Sequence, residues 1–251
     1  MKILKKLIKK STDVAEGLYV EDFVIGIGLV GVKLSNGSAG IAYNLKQDLL
    51  GECEEFSRGR GRKYSLLLKP GEKATVFIEA FTSENPLARS LGLATINALI
   101  SERENLQKGD LLEYLEINEG DMVGMIGEIG PLIMEAINRG AEVRVFERNR
   151  RRGQFPDWAI TTHLEDCNVV IISASSIVNW TIEWILDYVK TDRVAIVGPT
   201  ATLVKDIFPV KVIAGAKILD PDKLLDSLPR GIGTAGLYSS GIAEKVVLVL
   251  R

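Results

Sequence analysis

The sequence predicts an α/β protein, a Rossmann-like doubly wound parallel sheet preceded by a smaller α+β domain. Three observations predict it. From Met122 onward, short apolar strands alternate with helical segments. Nearer the start, an Asn-Gly turn separates two β-branched runs, and from Gly71 the apolar period becomes helical. The boundary implied is 1–108 for the α+β domain and 109–251 for the parallel sheet.

The chain has 251 residues. That accommodates one large domain or two small ones at roughly 100–200 residues each. Its 46% apolar and 25% charged content suits a packed core and excludes global disorder. Lys plus Arg number 31 against 33 Asp plus Glu, a formal charge of −2. There is no basic excess of the kind nucleic-acid binders carry. The two cysteines, Cys53 and Cys167, are too few for a disulfide framework and point to a reducing, cytoplasmic setting. No apolar run reaches about 18 residues, so no membrane span is expected. In MKILKKLIKK, Ile3, Leu4, Leu7 and Ile8 fall at helical spacing among lysines. This reads as a docked amphipathic helix, with a membrane-surface anchor as the alternative.

Glu21 to Leu45 reads as a β-hairpin: VEDFVIGIGLVGVKL, the turn Ser35-Asn36-Gly37, then GIAYNL. Gly51 to Lys63 reads as a loop with Arg58, Arg60 and Arg62 among glycines. Ala74, Phe77, Ala80 and Phe81 share a helical face, and Asn85-Pro86 opens a second helix through LARSLGLATINALI. Asp110 suits the N-cap of LLEYLEI, and Asn118 to Asp121 a turn. MVGMIG, EVRVFE, NVVIIS, RVAIVG and KVIAG are the strands of the parallel sheet. Their continuous apolar character implies cover on both faces. EKVVLVL fits an edge strand or a helix equally.

The first strand–helix turn, Gly124-Met125-Ile126-Gly127-Glu128-Ile129-Gly130-Pro131, has the order a nucleotide site needs. Glu147 ends the next strand, where an acid can meet a ribose. The glycine spacing is nonetheless G-x-x-G-x-x-G, so tight helix–sheet packing competes with nucleotide-like binding. On either reading Gly127 or Gly130 should approach the helix at Pro131 too closely for a Cβ, making Gly130→Val destabilising. An NADP phosphate could meet Arg148, Arg150, Arg151 and Arg152, but Glu147 opposes it. Three later loops complete the carboxyl edge: Ser173-Ala174-Ser175-Ser176 leading to Asn179, Gly198-Pro199-Thr200, and Gly215-Ala216. Their hydroxyls suit an anion, or simply cap helices. Glu147 and Thr200 both read as surface residues of a cleft.

Soft-metal and nucleophilic chemistry have little support. His163 is the only histidine, Cys167 reads as buried filler, and no CxxC or HxxxH pair occurs. No metal ligand set is therefore assigned, and a hard cation held by carboxylates stays open.

VIGIGLVGVKLSNGSAGIAYNL, SLGLATINAL, VGMIGEIGPLI with VFE, VVIISASSIVNWTIE and VAIVGPTATL together resemble the putative heavy-metal chelation domain family. The resemblance implies an enolase N-terminal-like first domain and an interdomain site. It would join Ser35, Asn36 and Asn97 to Glu147, Ser175, Ser176, Asn179 and Thr200, and the loops at the strand ends add Gly127 and Pro199 as ligand-binding candidates. The expected ligand is a small anionic or heteroaromatic metabolite, with a nucleotide-like cofactor left open. Any link to metal would run through an organic chelator. An enzyme of condensation, hydrolysis or group transfer, a non-catalytic sensor, and an S-adenosylmethionine-dependent methyltransferase-like enzyme are the three readings. The expected partner is a small molecule, not nucleic acid or membrane, and a homo-oligomer stays open.

Overall fold

The computed structural model describes residues 2–48, 68–149 and 151–250. The basic loop expected from Gly51 to Lys63 lies outside the described residues, as do Cys53 and Arg150.

The lysine-rich N-terminus is α1 (Lys2–Val14), with Ile3, Leu4 and Leu7 buried and Lys5, Lys6, Lys9 and Lys10 exposed. β1 (Val20–Ile25), β2 (Leu29–Leu34) and β3 (Ala39–Tyr43) pair antiparallel in that order. The expected hairpin is thus a three-strand meander, because VEDFVIGIGLVGVKL breaks at Gly26-Ile27-Gly28. Gly26 donates its N–H to Leu29 O at 2.9 Å, closing the turn. A Cβ there would lie 2.5 Å from Leu228 O, so only glycine lets that backbone approach. The Asn-Gly turn does join β2 to β3. Gly37 takes φ +81°, and its N–H donates to Leu34 O at 2.8 Å.

The helical period from Gly71 gives α2 (Ala74–Ala80), and Asn85-Pro86 opens α3 (Pro86–Ile100). Asn85 Oδ1 accepts from the N–H groups of Leu87 and Ala88, satisfying donors the helix start leaves open. α3 is buried nearly all round, from Leu91 to Ala98, as a central helix must be. Asp110 caps α4 (Leu111–Tyr114), again as the sequence implies.

Strands and helices then alternate: β4 (Met122–Ile126), α5 (Gly130–Asn138), β5 (Glu142–Glu147), β6 (Phe155–Pro156), α6 (Ile160–His163), β7 (Val169–Ser173), α7 (Ser175–Val178), α8 (Ile182–Asp187), β8 (Val194–Val197), β9 (Val212–Ile218), α9 (Pro221–Ser227), α10 (Thr234–Ser239) and β10 (Ala243–Val249). The seven strands lie in the order β10-β9-β8-β7-β4-β5-β6, and β9 to β6 pair parallel. EKVVLVL is the edge strand β10. β6, two residues long, leaves no periodic signal in the sequence.

Alternation across the strands fills two faces. Val123, Met125, Val169 and Ile171 join Leu112 and Leu115 in one apolar layer. On the opposite face, a Cβ on Gly124 would lie 2.7 Å from Leu164 Cδ1 and 3.0 Å from Cys167 Sγ. Val169, Val170, Ile171 and Ile172 are all fully buried, as a strand covered on both sides requires.

The described chain divides into two compact units. One comprises Lys5–Ser101 and Ile218–Glu244 and holds the antiparallel sheet. The other comprises Met1–Leu4, Glu102–Lys217 and Lys245–Arg251 and holds most of the parallel sheet.

Candidate functional site

The strand order contains a reversal. From β4 the chain moves outward to β5 and β6, then returns to β7 on the other side of β4. Open α/β sheets bind ligands at such a point, outside the carboxyl ends of the strands, because the connecting loops diverge there. A cleft of about 100 Å³ lies at that edge. Gly127 follows β4, Glu147 ends β5, Ser173 ends β7, and all three line it.

Gly127 has φ +88°, and a Cβ would lie 2.8 Å from Ser173 Cβ. Both facts demand glycine. The expectation for Gly130 is corrected: a Cβ there meets nothing within 4 Å, and Gly127 is crowded by Ser173, not by the helix at Pro131. Gly127→Ala is therefore expected to cost about 1–2 kcal/mol in a urea melt, the penalty of a side chain in the left-handed region. Gly130→Ala should leave the midpoint unchanged.

Glu147 is half-buried. Its Oε2 accepts from Glu128 N–H at 3.1 Å, and its Oε1 from Arg148 N–H at 2.8 Å and Asn149 N–H at 3.3 Å. The carboxylate thus braces the glycine turn to the end of β5. Ser173 Oγ and Ser175 Oγ are 3.0 Å apart and hydrogen-bonded. Asn179 Oδ1 accepts from Thr181 N–H at 3.1 Å and from Thr181 Oγ1 at 2.7 Å. Between them, Ser176 is 3% exposed, and its Oγ, shut off from bulk water, has no hydrogen-bond partner. Trp180 takes φ +65°, uncommon for so large a residue, and turns the chain between Asn179 and Thr181, both of which line the cleft.

Of the residues the sequence singles out, Gly127, Glu147, Ser175, Ser176 and Asn179 line this one cleft. Pro199 and Thr200 are not among its lining residues, and Thr200 is 2% exposed and not a surface group. Ser35, Asn36 and Asn97 belong to the antiparallel unit. Ser35 Oγ accepts from Tyr19 N–H, Asn36 Oδ1 from Ser38 N–H, and buried Asn97 donates Nδ2–H to Ile41 O at 2.9 Å. Asp157 and Trp184 line the cleft without having drawn notice in the sequence. Asp157 follows the two-residue β6, and Trp184 on α8 reads as ordinary helix filler. Of the basic run, Arg148 Nε lies 3.7 Å from Asp157 Oδ2, and Arg151 Nη1 3.4 Å from Glu128 Oε1.

His163 packs its ring 4.9 Å from Phe155 and is not among the lining residues. Burial pushes the Cys167 thiol up to about 11. Among the described residues, no group of three or more His, Cys, Asp or Glu side chains is placed to hold a metal ion, and no helix is long and apolar enough to cross a membrane.

Residues 110–247 match the DUF364 family and residues 8–100 the DUF4213 family, both described as putative heavy-metal chelation. An uncharacterised protein of Methanocaldococcus jannaschii is 28% identical over 206 residues, covering 78% of each chain. A crystal structure of a DUF364 protein of unknown function from Pyrococcus horikoshii aligns with a TM-score of 0.79 at 27% identity, over 99% of this chain and 100% of that one. One from Desulfitobacterium hafniense, also DUF364 and of unknown function, aligns at 0.78 and 18% identity, over 98% and 97%, and shares the fold. With more than half its length matched by one of these family profiles, the chain belongs to the DUF364 family.

Proposed function

We propose that the chain binds a small organic metabolite in the cleft at the carboxyl ends of β4, β5 and β7. On this reading the parallel sheet is a Rossmann-like binding domain, and the antiparallel unit is of the enolase N-terminal type. The observation that carries it is Ser176. A buried hydroxyl without a partner costs roughly 1–3 kcal/mol, and native proteins rarely leave one so. Ser176 lines the cleft, and a turn of its side chain about χ1 would carry the hydroxyl to a ligand there, which supplies the missing bond. The location at the strand-order reversal and the convergence of Ser175, Asn179 and Glu147 support the same reading.

The family's description invokes heavy metals, and the described residues do not fit a soft ion. Soft metals select thiolate and imidazole. The cleft presents hydroxyls, an amide and carboxylates, while Cys167 is buried with a thiol that resists ionisation. Any metal connection would therefore run through the organic ligand. Glu147 at the end of β5 favours a second reading, an adenosine-containing cofactor such as S-adenosylmethionine. The cleft of about 100 Å³ is too small to enclose such a cofactor whole, since sites for molecules of that size enclose roughly 300–1,000 Å³. Turnover of the bound metabolite separates an enzyme of condensation, hydrolysis or group transfer from a sensor.

The test is the metabolite retained by the purified chain, released by denaturation and read by mass spectrometry. Ser176→Ala should lose it while melting at the same temperature or slightly higher, because the substitution removes an unsatisfied group. Equal retention by the variant, or a clear drop in melting temperature, would mean the hydroxyl is structural.

A further inference from the structure

We propose that the group this cleft holds is uncharged and hydroxyl-rich, of the sugar class, and that the cleft turns anions away. The inference rests on the reading of the cleft as a ligand site and adds its chemistry.

Among the described lining residues, the ionisable side chains are the acids Glu147 and Asp157 and the base Arg148. Arg148 Nε already lies 3.7 Å from Asp157 Oδ2. The balance is one negative charge in excess, so a phosphate or carboxylate would enter against like charge.

A strand–helix turn binds phosphate when its N–H groups point at open space. Here Gly127 N–H donates to Phe146 O at 2.9 Å, and Glu128 N–H donates to Glu147 Oε2. The N–H groups of Arg148 and Asn149 donate to Glu147 Oε1. Glu147 thus stands where an anion would stand. A phosphate would have to displace that carboxylate and then remain beside it.

What the cleft does offer is acceptors and an apolar wall. Each carboxylate oxygen has two lone-pair sites, and Glu147 Oε2 takes one bond, from Glu128 N–H. Asp157 Oδ1 accepts from Trp158 N–H at 2.9 Å, with capacity for another. Ser176 Oγ can both give and accept. Trp184, 36% exposed, supplies carbon surface, with Phe146, Ile160 and Ile185 also in the lining. A sugar matches both halves: its hydroxyls donate to carboxylates and exchange a bond with the serine, and its C–H face packs on the indole. About 100 Å³ admits the diol edge of such a ring, with the rest outside.

A free monosaccharide and the ribose of a nucleoside share this chemistry. The experiment is a tryptophan-fluorescence titration of the full chain with D-ribose, D-glucose, adenosine and inorganic phosphate, each to millimolar concentration. At least one of the first three is expected to give a saturable change that Trp184→Phe abolishes and inorganic phosphate does not compete away. Adenosine alone would identify a nucleoside, and a bare sugar a monosaccharide. Asp157→Asn and Ser176→Ala should each weaken that binding about tenfold, the loss of one good hydrogen bond to a ligand. Saturable binding of phosphate that Ser176→Ala weakens would overturn the inference and leave the cleft as a ligand site. Silence from all three sugar-bearing probes also overturns it. The cleft reading itself is tested separately, by whether Ser176→Ala loses the retained metabolite without a drop in melting temperature.

Discussion

Gly40→Val is expected to cost about 3 kcal/mol or more, the upper end of overpacking penalties, and to abolish cooperative folding of the antiparallel unit. Gly40 lies in β3 against α3, and a Cβ there would overlap Ala94 O and Ala98 N. Both are backbone atoms of a buried helix. A flexible side chain could swing aside, but this helix can only move as a whole, and α3 is enclosed on nearly every side. Gly92 makes the equivalent approach to the backbone of Phe81, so α2 and α3 are tied by the same device. Urea denaturation followed by circular dichroism reads the effect. A Gly40→Val midpoint within experimental error of the parent would mean that α3 does not sit so close to β3.

Arg193→Ala should destabilise the parallel unit by roughly 2–4 kcal/mol, because it strands a buried carboxylate. Asp121, 8% exposed, precedes β4. Its oxygens accept from Arg193 Nη1 at 2.9 Å and Nη2 at 2.8 Å, from Asn118 N–H at 2.9 Å and from Asn168 Nδ2 at 2.8 Å. Arg193 also donates to the carbonyls of Leu115 and Glu116. One guanidinium therefore joins the end of α4, the turn before β4 and the approach to β8. The hydrogen bond from Arg193 is the main reason the Asp121 carboxyl is held down from 3.8 to about 2. A depressed carboxyl stabilises the fold above its unfolded value and loses that contribution as pH falls through the folded one. This share of stability should be complete above about pH 4 and fade between there and about pH 2. The variant should lack it already at neutral pH. Parallel urea melts at neutral and acid pH measure the difference, which should shrink on acidification.

The pattern of elements was legible because it rests on local chemistry. Val123 to Ile126 and Val169 to Ile172 carry no polar side chain and are buried throughout, which only a strand covered on both faces tolerates. Asn85 and Asp110 cap the helices their sequence positions imply. What stayed hidden depends on contacts distant in the chain. The break at Gly26 is set by Leu228 O, and Gly127 rather than Gly130 is the constrained glycine because Ser173 faces it. EKVVLVL has no period that tells strand from helix, and the neighbouring strand β9 decides it. Within the site, Glu147 and the serine loop could be named from their place after strands. That Glu147 fills the turn's own amide, and that Ser176 Oγ alone of these groups is buried without a partner, are facts of packing that no spacing encodes. Asp157 and Trp184 went unseen because each sits on an element too short or too ordinary to draw notice.

The most direct measurement is a crystal structure of the full chain grown with the metabolite that co-purifies with it. The account requires density at the carboxyl ends of β4, β5 and β7, with a ligand oxygen or nitrogen within hydrogen-bond distance of Ser176 Oγ and the Glu147–Glu128 bond intact. Ligand density elsewhere with this cleft empty, or a ligand here that leaves Ser176 Oγ unbonded, would contradict it.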